Sequence, residues 1–134
     1  MNHWTVIVAT RNRAPDIAET LRRIPAPGGC VKEVIVVDNG SSDGSALAAE
    51  RAWSGAQVLR LNRNLGPAGK QLALERAKFP LVAAIDDDCS PATWTWAEMA
   101  NRFAADPKLA CAGWGVQLTD GRWECGALPR AFVG

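Results

Sequence analysis

The sequence predicts an α/β domain with a largely parallel central sheet. Short β-branched runs alternate with segments of helical periodicity, and the chain contains no internal repeat and no low-complexity linker. A first buried strand is predicted at Val6–Val8. The run Val34–Val37 is apolar throughout, as expected of a strand that is buried on both faces. The 134 residues suffice for one domain with a hydrophobic core.

The other elements are predicted from local patterns. Pro15 suits the first turn of a helix. Ile17, Leu21 and Ile24 then form one apolar stripe, which the Pro- and Gly-rich segment 25–29 ends. The next predicted elements are a helix at Ser45–Trp53, a strand at Gln57–Leu61, a helix at Ala68–Lys78 and a strand at Leu81–Ile85. A further helix is predicted to start at Ser90 and Pro91 and to carry on one face Trp96, Met99, Ala100 and Phe103. A last strand is predicted at Ala110–Leu118, followed by a turn at Thr119–Arg122 that leads into a hairpin.

Charge and cysteine usage exclude several classes of protein. The 15 basic and 14 acidic residues give a net charge of +1, which argues against a dedicated binder of nucleic acid or acidic membranes. The four cysteines form no CxxC pair, and His3 is the one histidine, so a structural zinc site is not expected. Reduced thiols, no signal peptide and no membrane-span stretch predict a cytoplasmic protein, or one peripheral to the inner face of the membrane.

Polar clusters follow three of the predicted strands: Thr10–Arg13, Asp38–Asp43 and Asp86–Asp88. Open parallel sheets bind ligands beyond the carboxyl ends of their strands, at the point where the strand order reverses. We therefore expect these three clusters to converge on one crevice.

The three adjacent carboxylates of Asp86, Asp87 and Asp88 repel one another, and a cation relieves that repulsion. In an extended backbone Asp86 and Asp88 point to the same side, so the pair suits a divalent ion such as Mg²⁺ or Mn²⁺. The alternative is that these acids, with Ser90, simply favour the start of the following helix. Their position after an apolar strand favours the metal.

Two further clusters each have two interpretations. The segment from Asp38 to Asp43 is typical of a tight turn, while Asp38 and Asn39 carry the groups that read a nucleobase edge. Gly66 and Gly69 lie around a predicted helix start whose amides favour an anion, and Arg63 and Lys70 add positive charge nearby, although glycines are common at such positions.

Four motifs resemble those of family 2 glycosyltransferases in order and spacing, and together they cover nearly the whole chain. They are VIVATRNR (Val6–Arg13), EVIVVDNGSSDGS (Glu33–Ser45), NRNLGPAG (Asn62–Gly69) and AAIDDDCSP (Ala83–Pro91). The resemblance implies a GT-A fold, a Rossmann-like three-layer domain. It also implies a nucleotide-diphosphate sugar donor (a UDP- or dTDP-sugar) and inverting transfer to a sugar, lipid or polysaccharide acceptor, in cell-wall or polysaccharide biosynthesis.

The resemblance also implies roles for individual residues. A Mg²⁺ or Mn²⁺ ion is expected at Asp88 with Asp86 close by, where it would neutralise the departing diphosphate. The expected donor-binding residues are Thr10, Asn12, Arg13, Asp38, Asn39, Gly66, Lys70 and Asp87. The general base should be a carboxylate.

The chain departs from the family pattern in two places. Lys70-Gln71-Leu72 stands where the family often has Ala-Arg-Asn, and whether Lys70 replaces that arginine stays open. Asn39 stands where many UDP-sugar enzymes carry a second Asp. The resulting Asp-Asn-Gly-Ser motif resembles that of the family branch that includes dTDP-rhamnose-dependent rhamnosyltransferases. The segment Phe132–Gly134 resembles the start of the acceptor side. Residues 1–134 are therefore expected to form a single donor-binding domain that ends before the general base.

Three other classes of protein share part of this pattern. A nucleotide-sugar-binding module without turnover shares every donor motif. A nucleotidyltransferase would need a glycine-rich loop where Thr10–Arg13 stands, and a phospho-acceptor signalling domain would need its acidic pair after the first strand. Of the tryptophans, Trp96 and Trp114 are expected in the core, and Trp94 or Trp123 on the surface as a sugar-stacking platform. No pattern specifies the sugar or the oligomeric state.

Overall fold

Six strands and four helices make up the part of the chain that the computed structural model describes, which is residues 3–122 and the backbone of 131–133. The strands are β1 (Trp4–Thr10), β2 (Val31–Asp38), β3 (Gln57–Arg60), β4 (Leu81–Asp86), β5 (Leu109–Ala112) and β6 (Ala131–Val133). The helices are α1 (Ala14–Arg23), α2 (Ser45–Ala52), α3 (Gly69–Leu74) and α4 (Thr95–Ala105), and a 3₁₀ turn covers Gly66–Ala68.

The strands β1 to β4 form an all-parallel sheet in the order β3-β2-β1-β4, which confirms the predicted α/β class. From β1 the chain adds β2 and β3 on one side and then returns to place β4 on the other side. The strand order therefore reverses between β1 and β4, and this reversal is where ligands bind in open parallel sheets.

Apolar side chains are buried on both faces of the sheet. On one face, Ile7, Ile35 and Val37 pack with Ala73 of α3. Successive residues of a strand point to opposite faces, so the neighbours of these residues lie on the other face, where they are also fully buried: Val6, Val8, Val34 and Val36. The helices α1 and α2 contact each other, and α2 contacts β2 and β3. Burial on both faces explains why β2 is apolar without alternation.

Two compact units are present, one reaching Trp96 and the other starting at Ala97. The second unit holds the antiparallel pair of β5 and β6. The predicted strand at Ala110–Leu118 is too long, because β5 ends at Ala112 and Leu118 belongs to a turn closed by its N–H on Arg122 O, at 2.8 Å. The predicted turn at Thr119–Arg122 is confirmed.

Two predicted helix boundaries are wrong. The helix placed at Ser90 and Pro91 begins instead at Thr95, after a turn in which the Thr95 N–H and hydroxyl both donate to Ala92 O. The helix predicted at Ala68–Lys78 is shorter, since bonds to residues three positions back, such as Ala77 N–H to Leu74 O, end it at Leu74.

Other predictions concern cysteines and membrane spans. Cys30, Cys89 and Cys111 are free thiols, and Cys125 lies outside the described residues. No helix within the described ranges has the length and apolar character needed to cross a membrane.

A buried carboxylate joins the strands at the edge opposite the polar clusters. Glu33 is 5% exposed and accepts hydrogen bonds from Thr5 Oγ1 at 2.7 Å, Gln57 Nε2 at 2.9 Å and the Lys78 N–H at 2.9 Å. These bonds connect β1, β2, β3 and the segment before β4.

We predict that Glu33→Gln lowers the free energy of unfolding by about 2 kcal/mol, because an amide nitrogen would face donors that now find a carboxylate oxygen. Urea unfolding measures the effect as a lower midpoint at unchanged slope. The control is Glu50→Gln, whose carboxylate pairs with Arg60 on the surface and should cost less than about 1 kcal/mol. Equal costs for the two variants would contradict the prediction.

Candidate functional site

A pocket of about 410 Å³ lies at the carboxyl ends of β1 and β4. The pairing registers explain its position, because Thr10 of β1 lies opposite Asp38 of β2, and Ala9 of β1 lies opposite Asp86 of β4. The strands therefore end at one edge of the sheet. The pocket is lined by Ala9, Thr10, Arg11, Arg13, Asn39, Gly66, Pro67, Lys70, Asp86, Asp87 and Asp88.

The three aspartates line the pocket from a turn, here called the acidic turn (Asp86–Asp88). The strand β4 ends at Asp86, and the Cys89 N–H donates to Asp86 O, so the extended geometry assumed from the sequence does not apply beyond Asp86. The carboxylates nevertheless differ in exposure: the side chains of Asp86 and Asp88 are 71% and 57% exposed, whereas that of Asp87 is 13% exposed. The Thr10 hydroxyl donates to Asp87 at 2.8 Å.

Two cationic side chains pair with the acidic turn and offset two of its three negative charges. Lys70 Nζ lies 2.7 Å from Asp86 Oδ1, and Arg13 Nη1 lies 3.1 Å from Asp88 Oδ2 and 3.6 Å from Asp87 Oδ1. The nearby charge of Asp87, followed by the hydrogen bond to Asp88, raises the pKa of Arg13 above its ordinary value. The carboxylates thus attract cations, which is the property that a metal site at this turn requires.

Thr20 of the helix α1 forms hydrogen bonds to the backbone of the acidic turn and of the next residue. This buried hydroxyl lies 2.8 Å from Asp87 O and 2.9 Å from Cys89 O, so its one proton is shared between two carbonyl groups. Burial raises the pKa of the Cys89 thiol, which stays protonated beside the carboxylates. Thr20 was not singled out in the sequence, because its partners are more than 60 residues away.

The Asn39 side chain fastens the loop before α3 to the end of β2. Its Oδ1 accepts the Leu65 N–H at 3.2 Å, and its Nδ2 donates to Gly66 O at 3.3 Å. A buried amide that is bonded to backbone on both sides is suited to holding Gly66 at the pocket wall. Gly40 adds to this contact, because its φ is +72° and a Cβ there would lie 3.3 Å from the backbone of Arg63.

Two of the predicted donor-binding residues lie outside the pocket lining. Asp38 is buried, and its Oδ1 accepts the Ser41 N–H at 2.9 Å within the turn after β2. Asn12 adopts a left-handed backbone with φ of +51°, and its Oδ1 accepts the Ser42 N–H at 2.8 Å. Thr10 and Asp88 share the pocket as expected, whereas Asp38, which was expected beside them, is absent from its lining.

Arg11 lines the pocket, as expected of the polar cluster Thr10–Arg13, although it was not among the predicted donor-binding residues. Ala9 and Pro67 also line the pocket, and no sequence pattern pointed to them. The position of Arg11 directly after β1 was a usable signal. Of the tryptophans, Trp96 is buried as predicted, Trp114 is half-buried rather than core, and Trp94 is 69% exposed. Trp123 lies outside the described residues.

The donor set at the acidic turn suits a hard divalent cation with few protein ligands. Within residues 3–122 and 131–133, no group of three or more His, Cys, Asp or Glu side chains is arranged to hold a metal ion by itself. Asp86 and Asp88 supply exposed carboxylates, and ions such as Mg²⁺ take their other ligands from water and phosphate.

Comparison with known proteins identifies relatives of this chain. The model of the family described as "Glycosyl transferase family 2" matches residues 5–127. The chain is 31% identical over 121 residues to succinoglycan biosynthesis protein ExoO of Rhizobium meliloti, covering 88% of this chain and 35% of that protein. It is 33% identical over 87 residues to ExoU of the same organism, covering 62% of this chain and 25% of that protein.

Among solved structures, the mannosyltransferase PcManGT from Pyrobaculum calidifontis, in complex with GDP-Man and Mn²⁺, superposes with a TM-score of 0.68 at 30% identity. The match covers 87% of this chain and 36% of that chain. The chain thus spans between a quarter and just over a third of the length of these relatives. The neighbours have the GT-A fold, which confirms the predicted fold.

We predict that Gly69→Ala destabilises the protein, although helix propensity alone favours alanine by up to about 1 kcal/mol. A Cβ at Gly69 would lie 2.9 Å from Asn39 Oδ1 and 3.1 Å from Val37 Cγ1, and such overpacking costs about 1–3 kcal/mol. The matched control is Gly29→Ala, whose Cβ meets nothing nearer than Ala26 O at 3.7 Å and should leave the urea midpoint unchanged or slightly raised. A Gly69→Ala variant as stable as this control would refute the tight contact with Asn39.

Proposed function

This chain belongs to glycosyl transferase family 2, and from that premise we propose that its pocket binds the nucleotide-diphosphate sugar donor of a metal-assisted sugar transfer. The observation that carries the proposal is the convergence of Thr10, Asn39, Lys70 and the acidic turn on one pocket at the strand-order reversal.

The charges of the pocket support a ligand that arrives with a divalent cation. Its lining holds three carboxylates and three cationic side chains, namely Arg11, Arg13 and Lys70, whose formal charges cancel. A diphosphate alone would add net negative charge to this balanced set. A divalent cation that enters with the diphosphate offsets that charge.

We assign Asp86 and Asp88 to the metal, either Mg²⁺ or Mn²⁺. The solved relative PcManGT carries Mn²⁺ together with GDP-Man, which supports a divalent ion here. When bound, the ion supplies charge stabilisation to the diphosphate as it becomes the leaving group. Arg13 and Lys70, which pair with Asp88 and Asp86 in the absence of ligand, then become available to the phosphate oxygens.

The remaining residues orient the nucleotide. Thr10 holds the Asp87 carboxylate at 2.8 Å, which fixes one acceptor at the pocket wall for a ribose hydroxyl. Asn39 shapes the wall at Gly66 through its two backbone bonds. Asp38 and Asn12 lie outside the lining and stabilise the turn after β2, because they accept the Ser41 and Ser42 N–H groups.

Inverting transfer also needs a carboxylate that takes the proton of the acceptor hydroxyl. Asp86 and Asp88 are assigned to the metal, and the third carboxylate, Asp87, accepts from the Thr10 hydroxyl at 2.8 Å and lies 3.6 Å from Arg13 Nη1. We therefore propose that this pocket is the donor side of the reaction and that the general base lies outside it. Because the described lining of the pocket holds no further carboxylate for this proton, the second candidate is a nucleotide-sugar-binding module without turnover. Donor hydrolysis or transfer separates the two.

We predict that a nucleoside diphosphate, tested as UDP, dTDP and GDP, binds in the presence of Mn²⁺ and that Asp88→Asn weakens this binding about tenfold, or about 1.4 kcal/mol. The reason is the loss of one of the two carboxylates assigned to the ion. Isothermal titration calorimetry measures the dissociation constants with and without Mn²⁺.

The control is Asp106→Asn, which removes the same charge after α4, where the side chain accepts the Lys108 N–H. This variant should bind as the unmodified chain does. If no nucleoside diphosphate binds with Mn²⁺, or if Asp88→Asn and Asp106→Asn behave alike, the proposed donor site is wrong.

A further inference from the structure

The start of α1 is capped by side chains from another loop. The N-cap residue, Arg13, makes no side-chain capping bond. Instead the Arg13 N–H donates to Ser45 Oγ at 3.0 Å, and the Ala14 N–H donates to Asp43 Oδ2 at 3.0 Å. Because the first amides of a helix have no partner within the helix, these two bonds satisfy groups that Arg13 cannot satisfy itself.

Asp43 is the centre of this contact. Its Oδ1 accepts both the N–H and the hydroxyl of Ser45, at 3.0 Å and 2.5 Å, while its Oδ2 accepts from Ala14. These bonds, first that of the Ser45 hydroxyl and then that of the Ala14 amide, lower the pKa of Asp43. The lowered pKa keeps the carboxylate charged further into the acidic range, and a charged acceptor makes the stronger hydrogen bond.

Two further bonds connect the same loops next to this contact. The Asn12 N–H donates to Ser41 Oγ at 2.9 Å, and Asn12 Oδ1 accepts the Ser42 N–H at 2.8 Å. The loop between β1 and α1 is thereby fixed to the loop between β2 and α2 from both directions.

This arrangement leaves the Arg13 guanidinium free to enter the pocket. The Arg13 backbone is fixed on one side of the loop, while its Nη1 reaches Asp88 at 3.1 Å and Asp87 at 3.6 Å on the other. Asp43 is absent from the pocket lining. Its effect on the acidic turn must therefore pass through the backbone of residues 13 and 14.

We propose that Asp43 is a positioning residue, which holds the Arg13–Ala14 backbone so that the Arg13 guanidinium stays on the acidic turn. Where the pocket binds a diphosphate, as in the proposed function on which this consequence rests, Asp43 also sets the affinity without touching the ligand. A merely structural Asp43 would affect stability but not the placement of Arg13.

Nuclear magnetic resonance of the nucleotide-free chain tests the placement directly. The side-chain Nε–H and Nη–H signals of Arg13 should be shifted from free-arginine values in the unmodified protein, and Asp43→Ala should return them towards those values. Glu19→Ala is the control, because it removes an exposed carboxylate from α1, where it pairs with Arg23, without removing a bond between the loops. If Asp43→Ala does not fold, Asp43→Asn keeps the size of the side chain and replaces one acceptor oxygen.

A double-mutant cycle tests the consequence for binding. With UDP and Mn²⁺ as the probe, Asp43→Ala should weaken binding about fivefold in the unmodified chain and have no effect in an Arg13→Ala background, because an effect that acts only through the Arg13 guanidinium is lost when that group is removed. An unchanged Arg13 signal in a folded Asp43 variant, or an equal loss in both backgrounds, overturns the proposal. If the signal moves but the unmodified chain binds no nucleotide, the positioning role stands and the proposed donor site fails.

Discussion

The parallel register of β1 with its two neighbours is the constraint on which the site depends. Thr10 lies opposite Asp38, and Ala9 lies opposite Asp86, so segments that are 28 and 77 residues apart in the chain leave the sheet at one edge. A shift of one residue in either pairing would turn the buried valines of β2 or the apolar residues of β4 to the wrong face. Core packing therefore fixes the position of the polar residues as firmly as it fixes the strands.

At this edge of the sheet, the three adjacent carboxylates of the acidic turn repel one another, and the surrounding side chains reduce that repulsion. Thr10 gives a hydrogen bond to Asp87, Arg13 pairs with Asp88 and Asp87, and Lys70 pairs with Asp86. The partners come from β1, from the loop before α1 and from α3, so the bonds to the acidic turn also bring these elements together. A cation and an anionic ligand that enter together would exchange these partners while preserving the balance of charge.

The sequence predicted the sheet and its polar edge because both follow from local rules. Apolar runs such as Val34–Val37 mark buried strands, and the ends of parallel strands must converge. Contacts between loops were not predicted, because a serine- and aspartate-rich loop equally satisfies its own turn. Asp43 and Asn39 illustrate this limit: each bonds to backbone of a different loop, at Ala14 in one case and at Leu65 and Gly66 in the other. The start of α4 was predicted too early, because Ser90 and Pro91 match the usual residues of a helix start better than those of the turn from Ala92 to Thr95 do.

The most direct test of the account is paramagnetic relaxation by Mn²⁺ in the isotope-labelled chain, with Mg²⁺ as the diamagnetic reference and the tightest-binding nucleoside diphosphate present. The account predicts that the backbone amide signals of Thr10, Asn39, Gly66 and Asp87 broaden together, while those near Glu33, at the opposite edge of the sheet, stay sharp. Broadening that omits any of the first four, or that is spread evenly over both edges, would contradict a single metal-assisted donor pocket.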